Sequence, residues 1–192
     1  MTDHPGNTPL DPDETEGLIP RHVTTQDELN QVEQANILEA SAWFAGRSHP
    51  DILTDSFLRQ LHKKMFCDVW RWAGVYRKSV KNIGGPPVSI PTETRKLCED
   101  TRYWIENKTY GWDELAARFH HRLVAIHPFP NGNGRHARMA TNLLLTTHGQ
   151  KPFTWGNANL SETTSRTRNR YLAALKAADN QDFQLLLEFV RS

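Results

Sequence analysis

The sequence predicts an all-α fold, a helical bundle carrying one small β-hairpin. Amphipathic periodicity recurs in segment after segment from residue 24 to residue 191, while β-branched runs are confined to one stretch around a Gly-Pro turn. The chain is 192 residues long without an internal repeat or low-complexity tract, which suits one domain rather than two.

Along the chain, residues 1–23 read as an N-terminal extension in which Pro and Gly recur between Asp and Glu, an extended arm more than a core element. The folded unit then spans 24–192. Thr25 with Glu28 forms a capping box ahead of Leu29, Val32, Ala35, Ile37 and Leu38, so a helix is expected to run to about Phe44. A second helix follows Thr54, with Phe57, Leu58, Leu61 and Met65 on one face. VYRKSV and PVSI flank NIGGPP between Val75 and Ile90, which predicts the hairpin. Helical patterns resume at TETRKLCEDTRYWIEN, DELAARFHHRLVAI, GNGRHARMATNLLLTTHG, ETTSRTRNRYLAALKAA and DFQLLLEFV. Tryptophans near helix ends and loops read as packing anchors.

Composition excludes several classes. Hydrophobic residues make up 38% and charged residues 23%, with a formal net charge of +1. No global field therefore recruits nucleic acid, and no apolar run has the length of a spanning helix. The start is acidic and polar rather than signal-like, so a cytoplasmic protein is expected. Cys67 and Cys98 are too few for a disulfide framework, and the histidines lack the HExxH or CxxC spacing of a zinc site.

The chemistry concentrates in His127 to Arg138, HPFPNGNGRHAR. Pro128, Pro130, Gly132 and Gly134 force a tight loop whose last residues open a helix, and the unpaired N–H groups of a helix start attract anions. Arg135 and Arg138, three residues apart, fall on one face of the first turn beside those amides. His127 at the other rim can take a proton from an incoming hydroxyl. Singly, these residues are a helix cap, a turn and a solvated face. Together, within twelve residues, they suggest phosphoryl or nucleotidyl transfer.

HPFPNGNGRHAR resembles the motif of the Fic family, with eleven of its twelve positions in agreement. WAGVYR (Trp72 to Arg77) is similar to the family's lead into its flap, and YLAALKAADNQDFQLLLEFV to its closing helices; the bacterial subgroup called mobile mystery protein B is the most similar. The resemblance implies a Fic-type helical bundle and a protein adenylyltransferase. His127 would deprotonate a Ser, Thr or Tyr hydroxyl of a target protein for attack on the α-phosphate of ATP. Asn133, with the Gly132 and Gly134 amides, would hold the α- and β-phosphates, Arg135 the β-phosphate and Arg138 the γ-phosphate. The hairpin, with Tyr76, Arg77, Lys78, Ser79, Val80, Ile83, Gly84 and Gly85, would be the flap that docks the target by strand-like pairing. Partners are then ATP and a protein with an exposed hydroxyl side chain, with neither membrane nor nucleic acid.

The family's acidic residue, which helps to hold Mg²⁺, is Asn131 here. Its amide oxygen can ligate magnesium without adding negative charge. This departure leaves open a nucleotide-binding regulatory or toxin-like protein, or phosphoryl transfer or AMP removal at the same site. Many relatives carry an inhibitory glutamate, and Glu16, followed by Gly17, matches part of that pattern; Glu28 matches another part, with a capping box as its plainer role.

Overall fold

The computed structural model describes residues 10–45, 51–157 and 166–192. Helix α1 is a single turn, Pro12–Thr15. The capping box then starts α2, Gln26–Ala45: Thr25 Oγ1 accepts the Glu28 N–H at 3.2 Å and Glu28 Oε2 accepts the Thr25 N–H at 3.0 Å. Thr54 caps α3, Asp55–Phe66, by accepting the Phe57 N–H at 3.1 Å. The remaining helices are α4, Ile90–Glu106; α5, Trp112–Ile126; α6, Asn133–Thr147; α7, Arg166–Asp179; and α8, Gln184–Val190. The expected start of α7 at Glu162 lies outside the described residues.

Helices α5 and α6 form the central pair. Helix α3 packs on α6, α4 on α5, α2 on α3, and α8 on both α7 and α5. One apolar cluster gathers Leu61, Met65, Phe66, Leu97, Phe119 and Leu123 with Ala137 and Leu144; a second gathers Phe153, Tyr171, Ala174 and Phe189 with Leu145. Each of these large side chains contributes about 1.5–3 kcal/mol by leaving water. Because α6 supplies residues to both clusters, the helix that carries the arginines is fixed from two sides. Among the described residues no helix is long and apolar enough to cross a membrane.

The fold is all-α as expected, but the hairpin is absent: no strand occurs among the described residues, and residues 75–86 run irregularly into a 3₁₀ turn at Pro87–Ser89. Arg77 explains the difference. Its N–H donates to Pro128 O at 3.0 Å, and its guanidinium takes the carbonyls of Ser79 and Gly85, each at 2.8 Å. Those groups are no longer free for a ladder, and Pro86 and Pro87 have no N–H to offer one. The lead segment also differs from a plain arm. Leu18 pairs with Trp70 in an isolated antiparallel bridge, and Trp72 Nε1 donates to Glu14 O at 2.9 Å.

Several histidines are buried and held neutral. Burial lowers His62 well below the ordinary value of 6.5, His136 to about 4 and His120 to about 3. Below pH 6.5 the unfolded chain binds protons that these folded rings refuse. Stability is therefore fully present above about pH 6.5 and is lost as pH falls towards the folded values. Urea midpoints measured from pH 7 down to 4 should fall steadily; a flat profile would show that the rings titrate in the fold as they do in water.

Candidate active site

The loop between α5 and α6 is built by its own side chains. His127 ends α5 in the left-handed conformation, φ 53° and ψ 59°, which turns the chain out of the helix. Asn133 closes the loop: its Oδ1 accepts the Phe129 N–H at 2.9 Å and its Nδ2 donates to Phe129 O at 2.8 Å. Its amide is thus spent on the backbone, a bracing role beside the phosphate contact that the sequence suggested. Gly132, at φ 78°, sits so close to Phe66 that a Cβ would come within 2.6 Å of the ring. Below the loop, His62 Nδ1 accepts the Gly74 N–H at 3.0 Å, which leaves Nε2–H to donate to Asn131 O at 3.1 Å. The His62 ring stacks on Phe129 at 3.7 Å.

At the upper rim, His127 is 5% exposed. Its pKa is pushed down to about 4, first by burial and then by the Arg77 charge, with a smaller contribution from Lys81; the Val124 carbonyl opposes them only in part. The ring is therefore neutral at pH 7, with a lone pair available as a base.

The other rim is the start of α6, which has no side-chain cap, so its first-turn amides and the positive end of its dipole face the loop mouth. Arg135 and Arg138 stand there. Arg138 lies 5.8 Å from the Tyr171 ring centroid, and its charge is disfavoured mainly by burial and in part by Arg135 and Arg168. Tyr171 pairs with His120 Nε2 at 2.8 Å and so ties α7 to α5 beside this arginine. Concentrated positive charge of this kind calls for a polyanion.

The flap residues take separate roles. Arg77 is buried and donates through Nε to His127 O at 2.7 Å. Gly84 lies against the base, where a Cβ would come within 2.9 Å of His127 Cβ. Tyr76 donates its hydroxyl to Asp55, while Lys78, Val80 and Gly85 are exposed and Ile83 is half-buried. Ser79 and Lys81 are gripped by α1: Glu14 accepts from Ser79 Oγ at 2.7 Å and from Lys81 Nζ at 2.5 Å, and Asp11 lies 3.2 Å from Lys81. Glu14 is buried and Glu16 is exposed.

Asn131 Oδ1 accepts the Gly132 N–H at 2.5 Å and meets Arg135 Nη2 at 3.4 Å. An oxygen turned towards two donors, one of them cationic, is a poor fit for a magnesium ligand.

Sequence reasoning missed Glu14, Glu33, Arg168 and Tyr171. Glu33 lies 2.7 Å from Arg135. Only the i, i+3 rhythm of Arg135, Arg138 and the closing helix hinted at such neighbours, since contacts between distant helices leave no local signal.

Residues 52–145 match the Fic/DOC family. Among curated relatives, a protein of Aquifex aeolicus named as a probable protein adenylyltransferase is 31% identical over 58% of this chain and 34% of its own length. The protein adenylyltransferase Fic of Drosophila yakuba is 29% identical over 61% of this chain and 23% of its own. The chain thus spans between 23% and 34% of the length of these relatives. Solved structures share the fold: the Fic domain of Bep8 from Bartonella sp. 1-1C (TM-score 0.72, 17% identity, 90% of this chain and 89% of that one) and BepC from Bartonella tribocorum with bound AMPPNP (0.70, 17%, 93% and 95%). With the motif loop, the arginines and the helical frame in these positions, the chain carries a Fic/DOC family domain over residues 52–145.

Proposed function

We propose that the protein is an adenylyltransferase that moves AMP from ATP to a Ser, Thr or Tyr hydroxyl of a target protein and releases pyrophosphate. One observation carries this reading: a neutral, buried His127 faces, across one loop, an uncapped helix start with two arginines. The names of the relatives support it, as do the AMPPNP bound to BepC and the ADP bound to a Bartonella quintana Fic domain.

In this reaction the hydroxyl oxygen attacks the α-phosphorus, the bond from that phosphorus to the β-bridging oxygen breaks, and the hydroxyl proton passes to His127. Arg135, Arg138 and the first-turn amides of α6 carry the charge that accumulates on the departing pyrophosphate. A bound triphosphate also raises the basicity of His127, offsetting Arg77 and Lys81. The neutral amide of Asn131 would add no negative charge beside a magnesium ion held on the phosphates. That same neutral residue favours the second reading, a nucleotide binder without transfer. ATP labelled at the α- or the γ-phosphate separates the outcomes: adenylyl transfer puts only α-label on protein, phosphoryl transfer only γ-label, and a binder neither.

His127→Ala should abolish labelling while ADP affinity stays within about threefold, since the base acts on the acceptor. Retained labelling would unseat His127. Arg138→Ala should weaken ATP binding roughly ten- to a hundredfold, as expected for a lost charge-assisted contact, and calorimetry checks this. The acid limb of kcat/KM, which reports the free enzyme, should fall near pH 4, where His127 protonates, and not near 6.5.

We also infer that residues 1–23 restrain the flap, with Glu14 as the clasp in place of Glu16. Glu14→Ala should speed hydrogen exchange at residues 78–85 and raise labelling, whereas Glu16→Ala should do neither. Unchanged exchange in the Glu14 variant would reduce α1 to a packing element.

A further inference from the structure

An acid outside the motif faces Arg135. Glu33, on α2, lies 102 positions earlier in the chain, yet its Oε2 accepts from Arg135 Nη1 at 2.7 Å. Its other oxygen, Oε1, accepts from Trp70 Nε1 at 2.8 Å. The carboxylate side chain is 4% exposed, and Trp70 is itself buried and stacked on Trp72 at 4.8 Å. Both oxygens of Glu33 are therefore held, and it cannot swing. Arg135 in turn rests over the Phe66 ring at 5.0 Å. Among the described residues, its Nη2 end meets only the 3.4 Å approach of Asn131 Oδ1, an oxygen already engaged by Gly132.

We propose that Glu33 is the positioning residue for Arg135. Its carboxylate, fixed by Trp70, grips one end of the guanidinium so that the other end meets the nucleotide phosphates. It thereby supplies from α2 the acid contact that the neutral Asn131 makes only weakly. This rests on the reading that Arg135 binds phosphate. A flexible arginine loses rotamer freedom when it clamps an anion, and a carboxylate that fixes the fork beforehand removes that loss. Glu33 also offsets the positive charge of Arg135, which disfavours the charges of Arg138 and Arg168. Its place behind the guanidinium, nearly closed to solvent, suits a support rather than a competitor for the phosphate.

The test is calorimetric titration of the full chain with ADP. Glu33→Gln preserves shape while removing the charge, and affinity should drop by about tenfold. Trp70→Phe keeps the ring but frees one oxygen of Glu33, and the drop should be smaller, about threefold. A carboxylate restored from the loop, in the double variant Glu33→Gln with Asn131→Asp, should recover most of the lost affinity. Asn131→Asp alone should not improve on the parent. A merely structural acid would lower the melting temperature without this rescue, so a loss that Asp at 131 fails to restore overturns the proposal. Unchanged or tighter ADP binding in Glu33→Gln overturns it as well. Should Glu33→Gln not fold, Trp70→Phe decides in the same two directions. Arg135→Ala separates the levels: if it weakens ADP while Glu33→Gln does not, only the role of Glu33 fails; if it leaves ADP binding intact, the phosphate site fails and this inference with it.

Discussion

The site depends first on Arg77. A single buried guanidinium donates to the carbonyls of His127, Ser79 and Gly85, and approaches that of Ile126 at 3.5 Å. These carbonyls come from the end of α5 and from two points of the flap, segments that no helix ladder could join. Each would carry the cost of an unpaired buried acceptor without the arginine. After burial, the same charge is the next cause that keeps the His127 ring unprotonated. One side chain thus sets the shape of the loop mouth and contributes to the protonation state of His127.

Around that centre the polar network runs inward. Asn133 braces the loop on Phe129, His62 supports it from α3, and His136 donates to Leu58 O at 2.9 Å from the first turn of α6. The loop is therefore preorganised by contacts that need no ligand, so little rearrangement is left for the proposed reaction to drive. What the network leaves facing outward is cationic. The arginines sit where apolar packing fixes their helices but where, among the described residues, Glu33 is the acid paired with Arg135.

Much of this was legible in the sequence because it is local. Thr25 with Glu28 and Thr54 with Phe57 are short-range caps, and twelve consecutive residues carry the loop, the helix start and both arginines. The misreadings share one cause, contacts made at long range. VYRKSV has the alternation of a strand, but Arg77 diverts its hydrogen bonds to the α5–α6 loop some 50 residues away. Glu14 and Glu16 are indistinguishable as sequence, and only the place where α1 docks gives Glu14 the buried partners. Asn131 reads as a lost metal ligand by analogy, whereas its neighbours make it an acceptor for Gly132 and Arg135.

The left-handed backbone at His127 has a consequence for how this protein ages in evolution. A residue with a Cβ is strained at φ 53°, and glycine would occupy the position with no such penalty. Selection for stability alone therefore pulls residue 127 towards Gly, or towards Asn, which tolerates that region. On the proposed function, the imidazole persists only while turnover is selected. A copy of this gene that has drifted into a silent nucleotide binder should thus betray itself at this position, by losing the histidine to a residue that relaxes the turn rather than to alanine, which would keep the strain and lose the base.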